Sequence, residues 1–102
     1  MKTVVRYKTK AGRGDENQRL VEQVYQELAA AAPGGLQYAT FRLADGVSFI
    51  HIAMTDAEDS PNPLGKVAAF AEFLRNIAER CDEPPVAETA TVVGSYRFFG
   101  EG

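Results

Sequence analysis

The stretch LQYATFRLADGVSFIHIAMT, residues 36–55, contains two β-rich runs on either side of the dipeptide Asp45-Gly46. An Asp-Gly pair between such runs is the strongest short-range signal for a two-residue β-hairpin turn. A turn of this length also fixes the pairing register, so that Ala44 lies opposite Val47 and each earlier residue lies opposite its later counterpart. The stretch therefore predicts an antiparallel hairpin with a defined register.

A strand and a helix precede this hairpin, and a helix and a strand follow it. Asp15 is a suitable N-cap for the first helix, and Asn62 followed by Pro63 is a typical start for the second. The predicted strands are Thr3–Lys10, Leu36–Ala44, Val47–Thr55 and Thr89–Phe99, and the predicted helices are Asp15–Ala32 and Pro63–Arg80, with Asp82–Pro85 as a connector. The order βαββαβ predicts an α+β, ferredoxin-like fold, in which a four-stranded antiparallel sheet carries two helices on one face.

Composition restricts the class of protein. The 102 residues suit one domain, spanning 1–102, and the net charge of −3 with no block of lysine and arginine argues against a nucleic-acid partner. No apolar run is long enough to span a bilayer, and the start of the chain does not resemble a signal peptide. The single cysteine, Cys81, fits a reducing compartment, so the expected location is cytoplasmic, with no membrane partner.

The hairpin register separates two faces of the sheet. One face, called here the mixed face, carries Tyr38, Thr40, Arg42, Phe49 and His51, with Tyr7 expected to join it. The other face carries Ala39, Phe41, Leu43, Ile50 and Ile52 and is more apolar, so it is interpreted as the face that packs against the helices. The stripe predicted to be buried on the second helix consists of Val67, Phe70, Ala71, Leu74, Ile77, Ala78 and Cys81, and it leaves Phe73 outside.

An aromatic mixed face opposite the helices needs a cover, because large exposed aromatic patches usually mark interaction surfaces. A second copy of the chain, packed sheet to sheet around a two-fold axis, is the simplest cover. The sequence therefore predicts a homodimer.

Two short stretches carry a family resemblance. The run VVRYKTKAG at residues 4–12, which leads into a capped helix, and the closing VVGSYRF at residues 92–98 resemble antibiotic-biosynthesis-monooxygenase-like domains. The resemblance covers Thr3 to Phe99 and implies a dimeric α/β-barrel with sheet order 4-1-3-2 and a pocket in each subunit. Some members of this group oxidise aromatic polyketides or quinols without metal or flavin, and others degrade haem.

The chain departs from the active members of that group. It has no tryptophan, whereas the oxygenating members commonly use an Asn and a Trp in the pocket, and its second helix lacks the histidine of the haem-degrading members. No catalytic residue is therefore carried over from the family, and no haem or other cofactor is expected.

His51 is the candidate catalytic residue, since a histidine in a cavity can act as a general base. The alternative is a half-buried histidine that hydrogen-bonds Thr40. Tyr7, Tyr38, Thr40, Arg42 and Phe49 are the candidate substrate-binding residues, suited to an aromatic or anionic ligand. The alternative for Arg42 is cation–π packing over Phe49. One histidine without clustered carboxylates predicts no metal site.

Three functions remain open at this stage. The first is a small-molecule pocket protein of the monooxygenase-like group, acting as a cofactor-independent oxygenase on an aromatic or quinol substrate held between sheet and helices. The second is a module that binds a small aromatic or anionic metabolite without turnover. The third is a noncatalytic dimerisation module. Ligand density in the cavity would separate these classes.

Overall fold

The structure, a computed structural model, describes residues 1–56 and 62–98. Within these residues the strands are β1 (Lys2–Thr9), β2 (Leu36–Arg42), β3 (Ser48–Thr55) and β4 (Cys81–Thr89). The helices are α1 (Gly14–Ala31), α2 (Ala68–Leu74) and α3 (Ile77–Arg80), and a 3₁₀ turn (Pro63–Lys66) precedes α2. None of the described helices is both long enough and apolar enough to cross a membrane.

The four strands form one antiparallel sheet in the order β2-β3-β1-β4. This confirms the α+β, ferredoxin-like fold with four antiparallel strands. The hairpin register is also confirmed, because Thr40 lies opposite His51 and Arg42 lies opposite Phe49.

The prediction for the last strand is wrong. β4 runs from Cys81 to Thr89, through the predicted connector, whereas residues 90–98 form no strand and Phe99 lies outside the described residues. Prolines are tolerated in β4 because it is an edge strand, and its pairing with β1 shifts register between Val86 and Glu83. This irregularity coincides with the two consecutive prolines, which cannot donate ladder hydrogen bonds.

The second predicted helix is interrupted. The helical pattern breaks at Arg75 and Asn76, and Asn76 adopts a left-handed conformation with φ of 59°. The break changes which side chains face the core, so that Phe73 is 4% exposed and Leu74 is 47% exposed. The predicted stripe is therefore wrong at both of these positions, and its members Ala71 and Ala78 are exposed as well.

The assignment of the two sheet faces is also wrong. The mixed face packs against the helices, because Tyr7, Phe49 and His51 are buried there and Tyr38 packs against the same core. Within the described residues, no helix packs on the opposite face, which carries Phe41, Ile50 and Ile52, and the Phe98 ring of the tail stacks on Phe41 at 6.4 Å between ring centroids. The open side of the sheet is therefore the apolar one.

The start of α1 differs from the prediction in a way that bears on the site. Asp15 lies in the first turn rather than at the N-cap, and its carboxylate pairs with the guanidinium of Arg42 at 3.0 Å. Gly14 allows this approach, because a Cβ there would clash with the Gly46 carbonyl and the Arg42 side chain. The helix thus contacts the hairpin turn directly.

Candidate functional site

His51 lies at the centre of the interface between the sheet and the helices. The residue is 4% exposed, and both of its ring nitrogens have hydrogen-bond partners. Nε2 is 2.8 Å from the Tyr7 hydroxyl, while Nδ1 is 2.6 Å from the Tyr38 hydroxyl and 3.1 Å from Thr40 Oγ1. Tyr7, Tyr38 and Thr40 thus contact His51, but on the helix side of the sheet, and their role in binding or catalysis stays a prediction.

Two helix residues extend this chain of hydrogen bonds. Asn17 of α1 is fully buried, and its side-chain amide donates to the Tyr7 hydroxyl at 2.7 Å. The Asn17 carbonyl accepts from Arg80 Nε at 3.3 Å, and on the other side of His51 the Tyr25 hydroxyl lies 2.7 Å from Thr40 Oγ1. We call this set the buried polar network, and its members are Arg80, Asn17, Tyr7, His51, Tyr38, Thr40 and Tyr25.

The network is complete within the described part of the chain. There, every buried side-chain nitrogen and oxygen atom has a hydrogen-bond partner. Buried polar groups are costly when unpaired and rigidify a site when all are paired. The network therefore belongs to a preformed interior rather than to an open pocket.

Aromatic rings surround the network and fill the space between sheet and helices. Tyr7 stacks on Phe49 with 5.4 Å between ring centroids. Phe73 of α2 lies 5.4 Å from the His51 ring and 6.2 Å from the Tyr7 ring, while Tyr25 stacks on Tyr38 at 5.2 Å. A ligand cannot reach His51 in this arrangement without displacing one of these rings.

Arg80 is a buried cation held by neutral acceptors. Arg80 is 2% exposed, and its guanidinium donates to the backbone carbonyls of Phe73 at 2.6 Å and Arg75 at 3.0 Å. No carboxylate of residues 1–56 or 62–98 lies within 4 Å as an ion-pair partner of Arg80. The guanidinium thus satisfies carbonyls left open where α2 ends, and it lies over the Phe73 ring at 5.6 Å.

Burial determines the protonation state of the network. Desolvation lowers the pKa of His51 to about 4. Desolvation also raises the pKa of the Tyr7 and Tyr38 hydroxyls well above the usual tyrosine value. At neutral pH the imidazole and both phenols are therefore uncharged, and His51 is a weak base in this packed state.

The lowered pKa of His51 predicts a pH dependence of stability. The unfolded chain binds a proton at His51 near pH 6.5, whereas the folded chain resists it until pH is about 4. The unfolded state therefore binds more protons in this window, so the free energy of unfolding should fall as pH drops from about 6.5 to about 4, by up to about 3 kcal/mol. Urea midpoints measured across this range should show the decline.

His51→Gln supplies the control for this measurement, because it removes the titrating group while keeping a polar side chain. Carboxylates titrate in both proteins, so their contribution cancels when the two are compared. The difference in free energy of unfolding between the two proteins should therefore depend on pH through His51 alone. A pH profile with the same slope in both proteins would contradict burial of a neutral imidazole.

Arg42 does not face an open cavity. Its guanidinium bonds Asp15, the Gln18 side chain at 2.7 Å and the Gly46 carbonyl at 2.7 Å, and it lies over the Phe49 ring at 5.6 Å. This geometry agrees with the alternative stated for Arg42, cation–π packing over Phe49. A substrate-binding role for Arg42, as for the other predicted residues, stays a prediction.

A cleft opens at the far end of the buried polar network, between α1 and the α2–α3 segment. Its volume is about 350 Å³. It contains the exposed ion pairs Arg13–Glu16 and Glu72–Arg75. Its lining residues are Arg13, Glu16, Arg19, Leu20, Gln23, Glu72, Arg75, Asn76, Glu79 and Arg80. Arg80 belongs both to the cleft and to the network, so it connects this opening with His51.

Sequence reasoning missed the residues that build this connection. Asn17, Phe73 and Arg80 were not among the candidates, and none of the predicted site residues lines the cleft. A usable signal was present at Asn17, which lies four residues before Val21 on the apolar stripe of α1. A polar residue on a buried stripe indicates a partner in the core.

The described residues provide no obvious metal centre. Among them, no group of three or more His, Cys, Asp or Glu side chains is placed to hold a metal ion. Cys81 is buried, and desolvation raises the pKa of its thiol. This cysteine therefore has the character of a core residue rather than of a nucleophile.

Comparison with solved structures identifies the class of fold. A proposed antibiotic biosynthesis monooxygenase from Nitrosomonas europaea superimposes with a TM-score of 0.73 at 13% identity, covering 90% of this chain and 88% of that one. Proteins described in the same way from Caulobacter crescentus CB15 (TM-score 0.69, 19% identity, 91% and 89% covered) and Bordetella bronchiseptica (TM-score 0.61, 18% identity, 90% and 95% covered) are also similar.

These likenesses confirm the predicted resemblance to antibiotic-biosynthesis-monooxygenase-like domains at the level of fold. No protein-family model matches the chain, and no curated protein matches its sequence. The chain therefore has a fold found in proteins described as antibiotic biosynthesis monooxygenases, while its own site has to be interpreted from its own residues.

Proposed function

We propose that this protein binds a small anionic aromatic molecule in the cleft between α1 and the α2–α3 segment. The observation that carries the proposal is the cleft itself, which has a volume of about 350 Å³ and four arginines in its wall. Small-molecule sites typically have volumes of 300–1,000 Å³ and a few convergent polar groups. The cleft is lined by helix residues and the α2–α3 turn, so it differs from the pocket between sheet and helices expected from the sequence.

The charge in the cleft favours an anion. Its wall carries four arginines and three glutamates, for a net charge of +1. Arg13 and Arg75 are paired with glutamates and Arg80 is 2% exposed, so Arg19 is the arginine proposed to meet the ligand. Arginine binds carboxylates through two parallel hydrogen bonds and stacks on aromatic rings, so one side chain can hold both parts of an aromatic acid. Leu20 adds an apolar contact for the ring.

A calorimetric titration tests the binding proposal. The probes are 4-hydroxybenzoate and salicylate as aromatic acids, with hydroquinone as an uncharged analogue. We expect the acids to bind and Arg19→Gln to weaken them about 10- to 100-fold, because a charged hydrogen bond contributes about 1.5–3 kcal/mol.

Arg6→Gln is the matched control, since it removes the same charge from an exposed side chain on the open face of the sheet. The proposal fails if no acid binds. It also fails if the two variants weaken binding equally, because the effect would then reflect net charge rather than the cleft.

Turnover is the finer part of the proposal. The activity that the fold suggests is cofactor-independent oxygenation of an aromatic or quinol substrate: a quinol supplies two electrons and two protons, one atom of O₂ enters its ring to give a hydroxyquinone, and the other atom leaves as water. His51 is the candidate proton acceptor, but Asn17 and Tyr7 separate it from the cleft, so turnover requires the substrate to move inward from the cleft and displace a tyrosine partner of His51. An oxygen electrode with a quinol panel measures this activity, and His51→Ala should abolish it.

Oxygen uptake that persists unchanged in His51→Ala would remove His51 from the chemistry. Binding without any oxygen uptake would instead favour the alternative function, a noncatalytic ligand-binding module. The cleft proposal does not depend on which of these two results is obtained.

The open face of the sheet supports a second proposal, that the protein is a homodimer. The reason given from the sequence, an uncovered aromatic face, is wrong because the helices cover that face. The face left without helices is more apolar, however, and carries Val4, Ala39, Phe41, Ile50, Ile52 and Met54. A second copy packed on this face would bury about 800 Å² per subunit, the scale of a specific interface.

Light scattering at micromolar concentration tests the dimer, and we expect twice the mass of one chain. Phe41→Asp should shift the mass toward one chain, because a carboxylate would be buried without a partner. Leu74→Asp, at an exposed position on α2, is the control and should leave the mass unchanged. A monomer mass for the unmodified protein would rule out the dimer.

A further inference from the structure

Most members of the buried polar network can either donate or accept a hydrogen bond. A phenol hydroxyl does both, an asparagine presents an oxygen on one side and an amide nitrogen on the other, and a neutral imidazole has one nitrogen of each kind. The donor-to-acceptor direction of the hydrogen bonds between Arg80 and His51 is therefore determined by a member that can only donate or only accept.

Arg80 is that member, because a guanidinium has donors only. Two of its nitrogens are fixed by the backbone carbonyls of Phe73 and Arg75, at 2.6 and 3.0 Å. The third, Nε, points to Asn17 at 3.3 Å. An acceptor must face Nε–H, so the Asn17 oxygen faces Arg80 and the Asn17 amide nitrogen faces Tyr7.

This orientation of Asn17 determines the direction of each following hydrogen bond, through Tyr7 to His51. The Tyr7 hydroxyl accepts from the Asn17 amide at 2.7 Å, which leaves its single hydrogen for His51 Nε2 at 2.8 Å. His51 Nε2 must accept, so the ring hydrogen of the neutral imidazole lies on Nδ1. From there it is donated toward the Tyr38 hydroxyl at 2.6 Å and Thr40 Oγ1 at 3.1 Å.

The reverse direction would place the Asn17 amide nitrogen against Arg80 Nε–H, two donors facing one another. Asn17 is 0% exposed and Arg80 is 2% exposed, so bulk solvent cannot relieve such a contact. Unpaired or opposed polar groups are most costly in this kind of surrounding.

We infer that Arg80 is a positioning residue that holds His51 in the Nδ1–H tautomer, with Nε2 as the accepting nitrogen. The action is indirect, through Asn17 and Tyr7, and it goes beyond the proposed function because it holds whether or not a ligand binds. It also gives the network one consistent direction, from the cation at the cleft toward the centre of the sheet.

Nitrogen-15 NMR of the imidazole tests this inference. His51 is the only histidine of the chain, so its ring resonances need no assignment among several. At pH 7 we expect Nδ1 to have the shift of a protonated nitrogen and Nε2 that of an unprotonated one. An Nε2–H tautomer in the unmodified protein would overturn the inference without any variant.

Asn17→Asp gives the sharpest variant, because it is nearly isosteric and removes the donor side of the amide. A carboxylate accepts from both neighbours, so Tyr7 would turn its hydrogen toward position 17 and accept from His51. We expect the tautomer to switch to Nε2–H. An unchanged tautomer in the folded Asn17→Asp protein would contradict the inference.

Arg80→Lys and Tyr7→Phe complete the series. Lysine also has donors only, so Arg80→Lys should retain the Nδ1–H tautomer, whereas a switch would count against the argument. Tyr7→Phe removes the link, and adding Asn17→Asp to it should then leave the tautomer unaffected. A purely structural role of Arg80 would alter stability in these variants but would not produce this pattern of tautomers.

Discussion

Phe73→Ala is expected to lower the free energy of unfolding by about 3–5 kcal/mol, the range for truncating a buried phenylalanine. Phe73 is 4% exposed and its ring contacts the rings of Tyr7, His51 and Phe70, with the Arg80 guanidinium over its face. Truncation leaves a cavity against both the aromatic cluster and a buried cation, so the neighbouring groups have little freedom to collapse into it. Urea unfolding monitored by circular dichroism measures the loss.

Leu74→Ala is the matched control for this substitution, since Leu74 is the next residue on α2 and is 47% exposed. We expect it to cost less than about 1 kcal/mol, in keeping with surface substitutions. The periodicity of the sequence predicts the opposite ranking. A larger loss for Leu74→Ala would show that α2 is rotated relative to the structure described here.

Arg80→Ala is expected to cost about 2–4 kcal/mol. The substitution leaves three acceptors without their donor, namely the buried Phe73 carbonyl and Asn17 side-chain oxygen and the partly buried Arg75 carbonyl. Each unsatisfied buried group costs about 1–3 kcal/mol, whereas removing a buried cation recovers part of its desolvation cost. The lost hydrogen bonds outweigh that recovery because the Phe73 carbonyl and the Asn17 oxygen are buried, where water does not readily replace the donor.

Two comparisons make the Arg80 prediction specific. Arg80→Lys should cost an intermediate amount, because one ammonium cannot reach acceptors in three directions. Arg75→Ala removes an equal charge from a side chain that is 68% exposed, and should cost less than about 1 kcal/mol. Equal losses for Arg80→Ala and Arg75→Ala in chemical unfolding would contradict the capping role of Arg80.

The pairing of the central strands could be predicted from the sequence more accurately than the packing of the helices on the sheet. The Asp45-Gly46 turn and the alternation around it determine the hairpin register, and these are local features that tertiary contacts rarely override. The βαββαβ order followed from local signals of the same kind, whereas the sheet order was implied by the family resemblance and is the order observed. The position of β4 was missed because Pro84 and Pro85 appear incompatible with a strand, and only an irregular edge pairing accommodates them.

The faces of the sheet were misassigned for a different physical reason. The rule that helices cover the most apolar face considers the sheet alone, whereas the inner faces of α1 and α3 carry Asn17 and Arg80. These polar residues need partners, and the hydroxyls of the mixed face supply them. Complementarity between two elements distant in sequence decided the packing, and composition of either element alone does not reveal it.

Only part of the candidate site could be predicted, because the rest again depends on contacts between elements distant in sequence. The grouping of Tyr38, Thr40 and His51 follows from the register, and the structure brings them into hydrogen-bond contact. The cleft depends on the break at Asn76 and on the way in which Arg80 folds back over α2. Such long-range geometry leaves little trace in a single sequence.

A titration of the nitrogen-15-labelled protein with 4-hydroxybenzoate, followed by backbone and arginine side-chain NMR, tests the central claim most directly. That claim is that the ligand site is the cleft between α1 and the α2–α3 segment. We expect saturable shifts at the Arg19, Arg75 and Arg80 side chains, with little change at Ile50 and Ile52 on the open face. Shifts confined to the open face, or none at millimolar ligand, would contradict it.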